Sequence, residues 1–183
     1  MKGNIVGSGV TPFQSQDIPS ENFLFQVLST AGDGTGSTDQ AVNGTTPVKY
    51  FIQPPAGKKY TLKRFNLHAV ATNFNNASNY GTVSALANGI KVYIENDERL
   101  IFDFTRDFQI KSTFLWGLLS GIDASTIGGA GADPLLVRWT FSKGCGNIEL
   151  NGNDGDRFVV EIRDNLAALT SQEAIVQGCW KDI

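Results

Sequence analysis

The residues able to do nucleophilic or acid–base chemistry are few and widely spaced in this sequence. His68 is the only histidine, and the cysteines are Cys145 and Cys179. A nucleophilic cysteine needs a neighbouring base, and a histidine needs a nucleophile or further ligands before it catalyses a reaction or holds a metal. We therefore expect His68 to be structural or solvent-facing and both cysteines to be packing residues. The spacing leaves open whether the two cysteines form a disulfide.

Two acidic loops have the oxygen-rich composition that suits calcium. Residues 33–39 contain two aspartates, and residues 151–156 read Asn-Gly-Asn-Asp-Gly-Asp. Neither loop has the glutamate at the twelfth position that completes an EF-hand. Asn, Asp and Gly are also the usual residues of tight turns. We interpret both loops as turns and predict no metal site and no cofactor.

The glycine-rich stretch 127–131 and a short basic cluster are the sequence features closest to anion-binding motifs. The glycine stretch lacks the Gly-Lys-Ser/Thr ending of a phosphate loop, so it is interpreted as a linker. The cluster comprises Lys58, Lys59, Lys63 and Arg64. Strand alternation places Lys63 and Arg64 on opposite faces, which dilutes the charge. Together with a net charge of −3, this argues against nucleic acid as a partner.

Aromatic side chains offer one further kind of site, a platform on which sugar rings stack. The tryptophans are Trp116, Trp139 and Trp180. Trp139 and Trp180 share strand parity with apolar residues, so we predict that both are buried. Trp116 is then the candidate for an exposed ring. No group of residues forms a catalytic constellation, and we predict that the chain is not an enzyme.

Alternating apolar and polar residues predict that the elements positioning these side chains are strands. Residues 90–95 and 100–104 form a predicted hairpin around Asn96-Asp97. The long strand 60–72 changes phase, which predicts a β-bulge near Lys63-Arg64. Residues 112–122 are either a short helix or a broken strand, and 165–172 are expected to hold one helical turn. The predicted strands are 23–28, 48–53, 60–72, 90–95, 100–104, 135–142, 148–150, 157–163 and 174–180.

The composition suits one globular β domain. The chain has 183 residues, of which 41% are hydrophobic, too many for a disordered protein. It has no apolar run long enough to span a membrane, and its start lacks the apolar core of a signal peptide. The short, glycine-rich connections exclude parallel strands joined by crossover helices. We predict an all-β, antiparallel β-sandwich of jelly-roll type over residues 23–183, preceded by an extended arm, residues 1–22, with residues 31–39 as a flexible loop.

Three stretches taken together resemble a known group of proteins. They are QPPAGKKY at 53–60, LLVRWTFSK at 135–143, and LNGNDGD at 150–156 leading through IRDNLAAL at 162–169 to VQG at 176–178. This order is similar to that of jelly-roll virion structural proteins of tailed bacteriophages, some of which are capsid decoration (cement) proteins. The likeness covers about residues 48 to 180 and consists mainly of turn chemistry.

The resemblance implies a function without catalysis. It implies a decoration protein on the virion surface that binds the major capsid protein and copies of itself, commonly as a homotrimer, and clamps neighbouring capsomers. Neither nucleic acid nor a membrane is an expected partner. In such a protein Asp164 and Asn165 would cap the turn before the last strand. The alternative is a tail-associated carbohydrate- or receptor-binding module, since sandwich folds often carry such sites on loops.

Overall fold

The chain folds into antiparallel strands in two sheets. The computed structural model describes residues 21–72, 80–83, 86–96, 99–103, 122–126, 133–141 and 146–183. The strands are β1 (Asn22–Val27), β2 (Val48–Ile52), β3 (Lys58–Ala71), β4 (Ile90–Ile94), β5 (Leu100–Asp103), β6 (Ile122–Thr126), β7 (Asp133–Thr140), β8 (Ile148–Asn151), β9 (Phe158–Ile162) and β10 (Ser171–Asp182). The predicted hairpin is confirmed, because β4 and β5 pair antiparallel.

The strand pairing is nested. A six-stranded sheet has the order β1-β10-β3-β7-β6 with β8 also paired to β3, and a four-stranded sheet has the order β2-β9-β4-β5. Thus β1 pairs with β10, β2 with β9, β3 with β7 and β8, and β4 with β5, so that early strands meet late ones. A long hairpin rolled into two sheets has this connectivity. The predicted jelly-roll-like β-sandwich is confirmed.

The core lies between the sheets and is built around aromatic rings. Phe65 of β3 stacks on Trp139 of β7, with ring centroids 5.0 Å apart, and reaches Phe158 of β9 across the sandwich at 5.4 Å. Phe141 meets the same Phe158 ring at 6.0 Å. Offset aromatic contacts of this kind add to the stabilisation from area burial. The predicted burial of Trp139 is confirmed.

The predicted bulge in β3 is confirmed, and it changes where its cations point. Gln177 pairs with Arg64 while the next residue, Gly178, pairs with Leu62, so Lys63 is the extra residue. Tyr60 and Leu62 before the bulge, and Phe65 after it, all face the core. Lys63 and Arg64 are both exposed. Their expected placement on opposite faces is wrong, because a bulge interrupts the two-residue alternation.

Three connecting segments differ from the predictions. Strand β6 was not predicted, because Ile-Asp-Ala-Ser-Thr alternates too weakly in hydrophobicity. The predicted helical turn in 165–172 is instead a tight turn, closed by a hydrogen bond from Leu169 N to Leu166 O (2.8 Å), with β10 following at Ser171. The loop predicted to be flexible, 31–39, is held by hydrogen bonds such as Thr30 N to Ser37 O (3.1 Å).

Some predictions concern segments outside the described residues. These segments include residues 1–20 of the predicted arm and the ambiguous segment up to residue 121. Strand β1 begins at Asn22, the last residue assigned to the arm. The arm therefore stays a prediction.

Candidate interaction face

The outer surface of the six-stranded sheet carries exposed aromatic side chains on β1. Leu24 points into the core with 6% of its surface exposed, whereas Phe23 and Phe25 are 74% and 55% exposed. In β1, the alternate positions Phe23, Phe25 and Val27 therefore lie on the outer side of the sheet. In register, Phe23 lies opposite Cys179 and Phe25 opposite Gln177. Two phenylalanines this exposed on one strand form an apolar feature that is unusual on a protein surface.

The bulge places two cations beside these rings. Lys63 and Arg64 flank a groove of about 310 Å³ that is also lined by Phe23, Thr140, Gln177 and Cys179. We call the surface formed by Phe23, Phe25, Lys63, Arg64, Gln177 and Cys179 the aromatic–basic face. It combines apolar area with hydrogen-bond donors and positive charge.

The two halves of the predicted basic cluster have different electrostatic surroundings. Lys59 pairs with Glu149 at 2.5 Å, and Lys58 lies 3.6 Å from Asp182 with its ammonium 3.4 Å above the Trp180 ring. Among the described residues, no carboxylate forms an ion pair with Lys63 or Arg64. Within this cluster, the positive charge that no described carboxylate neutralises is that of Lys63 and Arg64, which belong to the aromatic–basic face. Trp180, predicted to be buried, is half-buried beneath Lys58.

A second concavity lies at one end of the sandwich. This cleft of about 490 Å³ separates the loop at Gly32-Asp33 from the Pro54-Pro55 turn, and Gln26 and Gln53 also line it. The Asp33 carboxylate accepts hydrogen bonds from the Thr35 hydroxyl (2.6 Å) and the Thr35 N–H (2.9 Å). These bonds favour the charged carboxylate and lower the pKa of Asp33.

The residues considered as calcium ligands are used to fix turns. Asp156 Oδ2 accepts from Asn151 N (2.8 Å), and Asp154 Oδ2 accepts from the Asn151 amide (2.6 Å). Asp39 Oδ1 accepts from Ala41 N (3.0 Å) and Gln172 N (3.1 Å). In the described part of the chain, no three His, Cys, Asp or Glu side chains gather into a group able to hold a metal. The absence of a metal or cofactor stays a prediction.

The histidine and the described cysteine, His68 and Cys179, do not lie close together. His68 is half-buried on β3 opposite Glu173, whereas Cys179 pairs with Thr61. At about 3.3 Å per residue these two positions lie roughly 20 Å apart along β3. Cys145, Trp116 and the glycine stretch 127–131 lie outside the described residues. That the chain is not an enzyme stays a prediction.

Asn165 and Asp164 act as caps on different loops. Asn165 Oδ1 accepts from Ala167 N (2.9 Å) and caps the turn before β10, as predicted. Asp164 instead accepts from the backbone N–H groups of Asn88 (3.0 Å) and Gly89 (2.5 Å). Its predicted role in its own turn is wrong, because the fold brings the loop before β4 within its reach. Nothing in the local sequence signals a contact over that separation.

Comparisons with protein-family models, with curated proteins and with solved structures find no match to this chain. In the described residues, no helix is long and apolar enough to cross a membrane. The functional proposal below therefore starts from the aromatic–basic face, which combines exposed aromatic rings with positive charge. Sequence reasoning did not identify it, because β1 has apolar residues on both sides and alternation alone does not say which side is inward.

Proposed function

We propose that this chain is a structural protein of a tailed-bacteriophage virion, a capsid decoration (cement) protein that binds the assembled head and stabilises contacts between capsomers. The observation that carries the proposal is the aromatic–basic face. The β1–β10 ladder fixes the backbone of Phe23 and Phe25, so no backbone ordering is needed when a partner covers their exposed rings. The resemblance of residues 48 to 180 to such proteins supports the same role.

The chemistry of the face defines the partner. Covering one exposed phenylalanine contributes about 1.5–3 kcal/mol, so two rings supply an apolar centre for an interface. Lys63 and Arg64 at its border favour carboxylates on the partner and make association sensitive to salt. The proposed partners are the major capsid protein and further copies of this chain, on the capsid surface. The homotrimer that the resemblance implies stays a prediction.

The test is co-sedimentation with heads of the phage whose genome encodes the chain, prepared without it. Wild-type protein should bind, and the double variant Phe23→Ser with Phe25→Ser should bind more than tenfold more weakly. The matched control is Ile183→Ser, which removes an apolar side chain that is 54% exposed and is not part of the aromatic–basic face. Failure of the wild-type protein to bind, or equal binding by the double variant, would refute the proposal.

A tail-associated carbohydrate- or receptor-binding module is the second candidate. The cleft beside Asp33 favours it, because its lining includes a carboxylate and the Gln26 and Gln53 amides, groups that suit sugar hydroxyls. A glycan array separates the two. A specific sugar signal that is lost in Asp33→Ala, together with no binding to heads, would support this candidate over the first.

A further inference from the structure

The free edge of β1 lies beside the exposed phenylalanines. Strand β1 ends the six-stranded sheet, and no other described strand pairs with the outer edge of Asn22–Val27. The free edge stops there, because the next outward position, Ser29, is bonded to Phe51 of β2. Leu28 N donates to Ala174 O at 2.8 Å, so position 28 hydrogen-bonds toward β10. In a regular antiparallel ladder the direction alternates. Positions 22, 24 and 26 therefore also bond to β10, and the backbone groups of Phe23, Phe25 and Val27 point outward.

The sequence and register of β1 itself show none of the features that block an edge strand. Natural edge strands are blocked by lysine, proline, an inward charge or a bulge. The β1 sequence, Asn-Phe-Leu-Phe-Gln-Val, has no charge and no proline, and its register with β10 has no shift. A row of unpaired N–H and C=O groups on such a strand is a template for an added strand.

We infer that the β1 edge pairs with the β1 edge of a second copy of this chain, antiparallel about a twofold axis at Phe25. With this axis, Phe25 lies opposite the partner's Phe25, and Phe23 lies opposite the partner's Val27. These are the outward-bonding positions, so the ladder forms without a change of register. Aromatic–aromatic and aromatic–β-branched cross-strand pairs stabilise a sheet. Since β1 is uncharged, no like charges meet along the paired strands.

The choice of a second copy follows from this self-complementarity. One strand supplies the donors, acceptors and ring pairs that the other needs, as an isologous contact requires. The two outer faces then join into one sheet surface with the exposed rings of both copies at its centre. The inference does not depend on binding to a phage head.

Analytical ultracentrifugation of the full chain tests the pairing. Phe25→Pro removes an N–H that makes no bond to β10, so the fold should be retained while strand addition is blocked. The wild-type protein should have twice the mass of Phe25→Pro. Phe25→Ala keeps the N–H and serves as the control, reaching the doubled mass at higher concentration. Equal masses for wild type and Phe25→Pro at all concentrations would overturn the inference.

A cross-link provides a second measurement that does not need the proline variant to fold. With Cys145 and Cys179 changed to serine, Phe25→Cys places two thiols on positions about 5.5 Å apart between Cα atoms, within disulfide range. Mild oxidation should give a covalent dimer. Gln177→Cys in the same background lies one strand further from the axis in each copy, about 14 Å apart, and should not cross-link. Equal cross-linking of the two variants would contradict the proposed axis.

Discussion

Glu95 joins two cations from distant parts of the sequence, Lys49 of β2 and Arg157, the residue directly before β9. Its carboxylate accepts from Lys49 Nζ at 2.6 Å and from Arg157 at 3.2 Å. The Lys49 hydrogen bond is the main reason that the pKa of Glu95 is lowered, and the same bond raises the pKa of Lys49. The three side chains remain partly exposed, so solvent weakens each interaction.

This network predicts a specific acid dependence of stability. The folded-state pKa of Glu95 lies below its usual value of 4.5, so its contribution is present above pH 4.5 and is lost as the pH falls through the folded pKa. Because the group is partly exposed, we expect Glu95→Gln to lower the free energy of unfolding by about 0.5–1 kcal/mol at pH 7.

Urea unfolding at pH 7 and at progressively lower pH measures this difference between wild type and Glu95→Gln, which should vanish in acid. In a Lys49→Met background the effect of Glu95→Gln should shrink, and a difference that persists unchanged in acid would contradict the assignment.

Replacing each of two buried glutamines by leucine should change the free energy of unfolding in different ways. Gln40 is fully buried, and its side-chain amide has no hydrogen-bond partner among the described residues. Gln172 is equally buried, but its Oε1 accepts from the Tyr80 hydroxyl at 2.5 Å. Gln172→Leu should lower the free energy of unfolding by about 1–2 kcal/mol, whereas Gln40→Leu should leave it unchanged or raise it. Thermal or urea unfolding measures both, and a larger loss for Gln40→Leu would show that its amide is satisfied.

Among elements, β3 and β10 depend on a close backbone approach at the bulge. A Cβ on Gly178 would stand 2.0 Å from the carbonyl oxygen of Thr61. The strands cannot separate there without breaking the longest ladder of the six-stranded sheet. Position 178 therefore has room only for glycine, because any Cβ would clash with the backbone of β3.

The bulge predicts that Gly178→Ala destabilises the fold by about 3 kcal/mol, through overpacking against backbone. Gly57 is the matched control. It has a positive φ of 78° but open space around its Cα, so Gly57→Ala should cost only about 1 kcal/mol, from backbone strain. Chemical denaturation of the two variants measures the difference. Equal losses would mean that the β3–β10 approach at the bulge tolerates a side chain.

Strand prediction from sequence succeeded where one face of a strand is apolar and the other polar. The alternation in β2, β7 and β9 gave their positions, and the phase change in β3 gave the bulge. It failed for β6, whose residues carry little hydrophobic contrast, and it did not define which side of β1 faces the core. It also failed for the turn after Leu166. The three alanine and leucine residues that follow favour a helix by propensity, but tertiary contacts of Leu166 outweigh that propensity. Leu166 is fully buried and bonds to Val42 O at 2.8 Å.

For the molecule as a whole, the sandwich could be predicted from sequence because strands with alternating apolar and polar residues, joined by short turns, leave few other architectures. It did not predict the aromatic–basic face. That face requires the inward side of β1, the bulge in β3 and the pairing of both strands with β10, and the last is a contact between distant parts of the chain. Surfaces assembled across strands in this way are set by topology, which local patterns do not encode.

The same face leads to a prediction about salt. Lys63 and Arg64 lie beside the groove with no ion-pair partner among the described carboxylates, so a bound shell should contribute acidic groups there. Lys63→Glu with Arg64→Glu should weaken co-sedimentation with heads at low salt by at least tenfold and remove most of its salt dependence. Lys181→Glu, an exposed charge reversal on β10, is the control and should have a small effect. If the double reversal binds as well as wild type at low salt, the cations take no part in the contact.

The proposed role of this chain is to stabilise an assembled shell through the aromatic–basic face. The most direct measurement is the temperature at which phage heads disrupt, recorded for heads without the protein and for heads saturated with it. We predict a higher disruption temperature with wild-type protein and no increase with the Phe23→Ser and Phe25→Ser double variant. Heads that disrupt at the same temperature with and without the wild-type protein would contradict the proposed stabilising role.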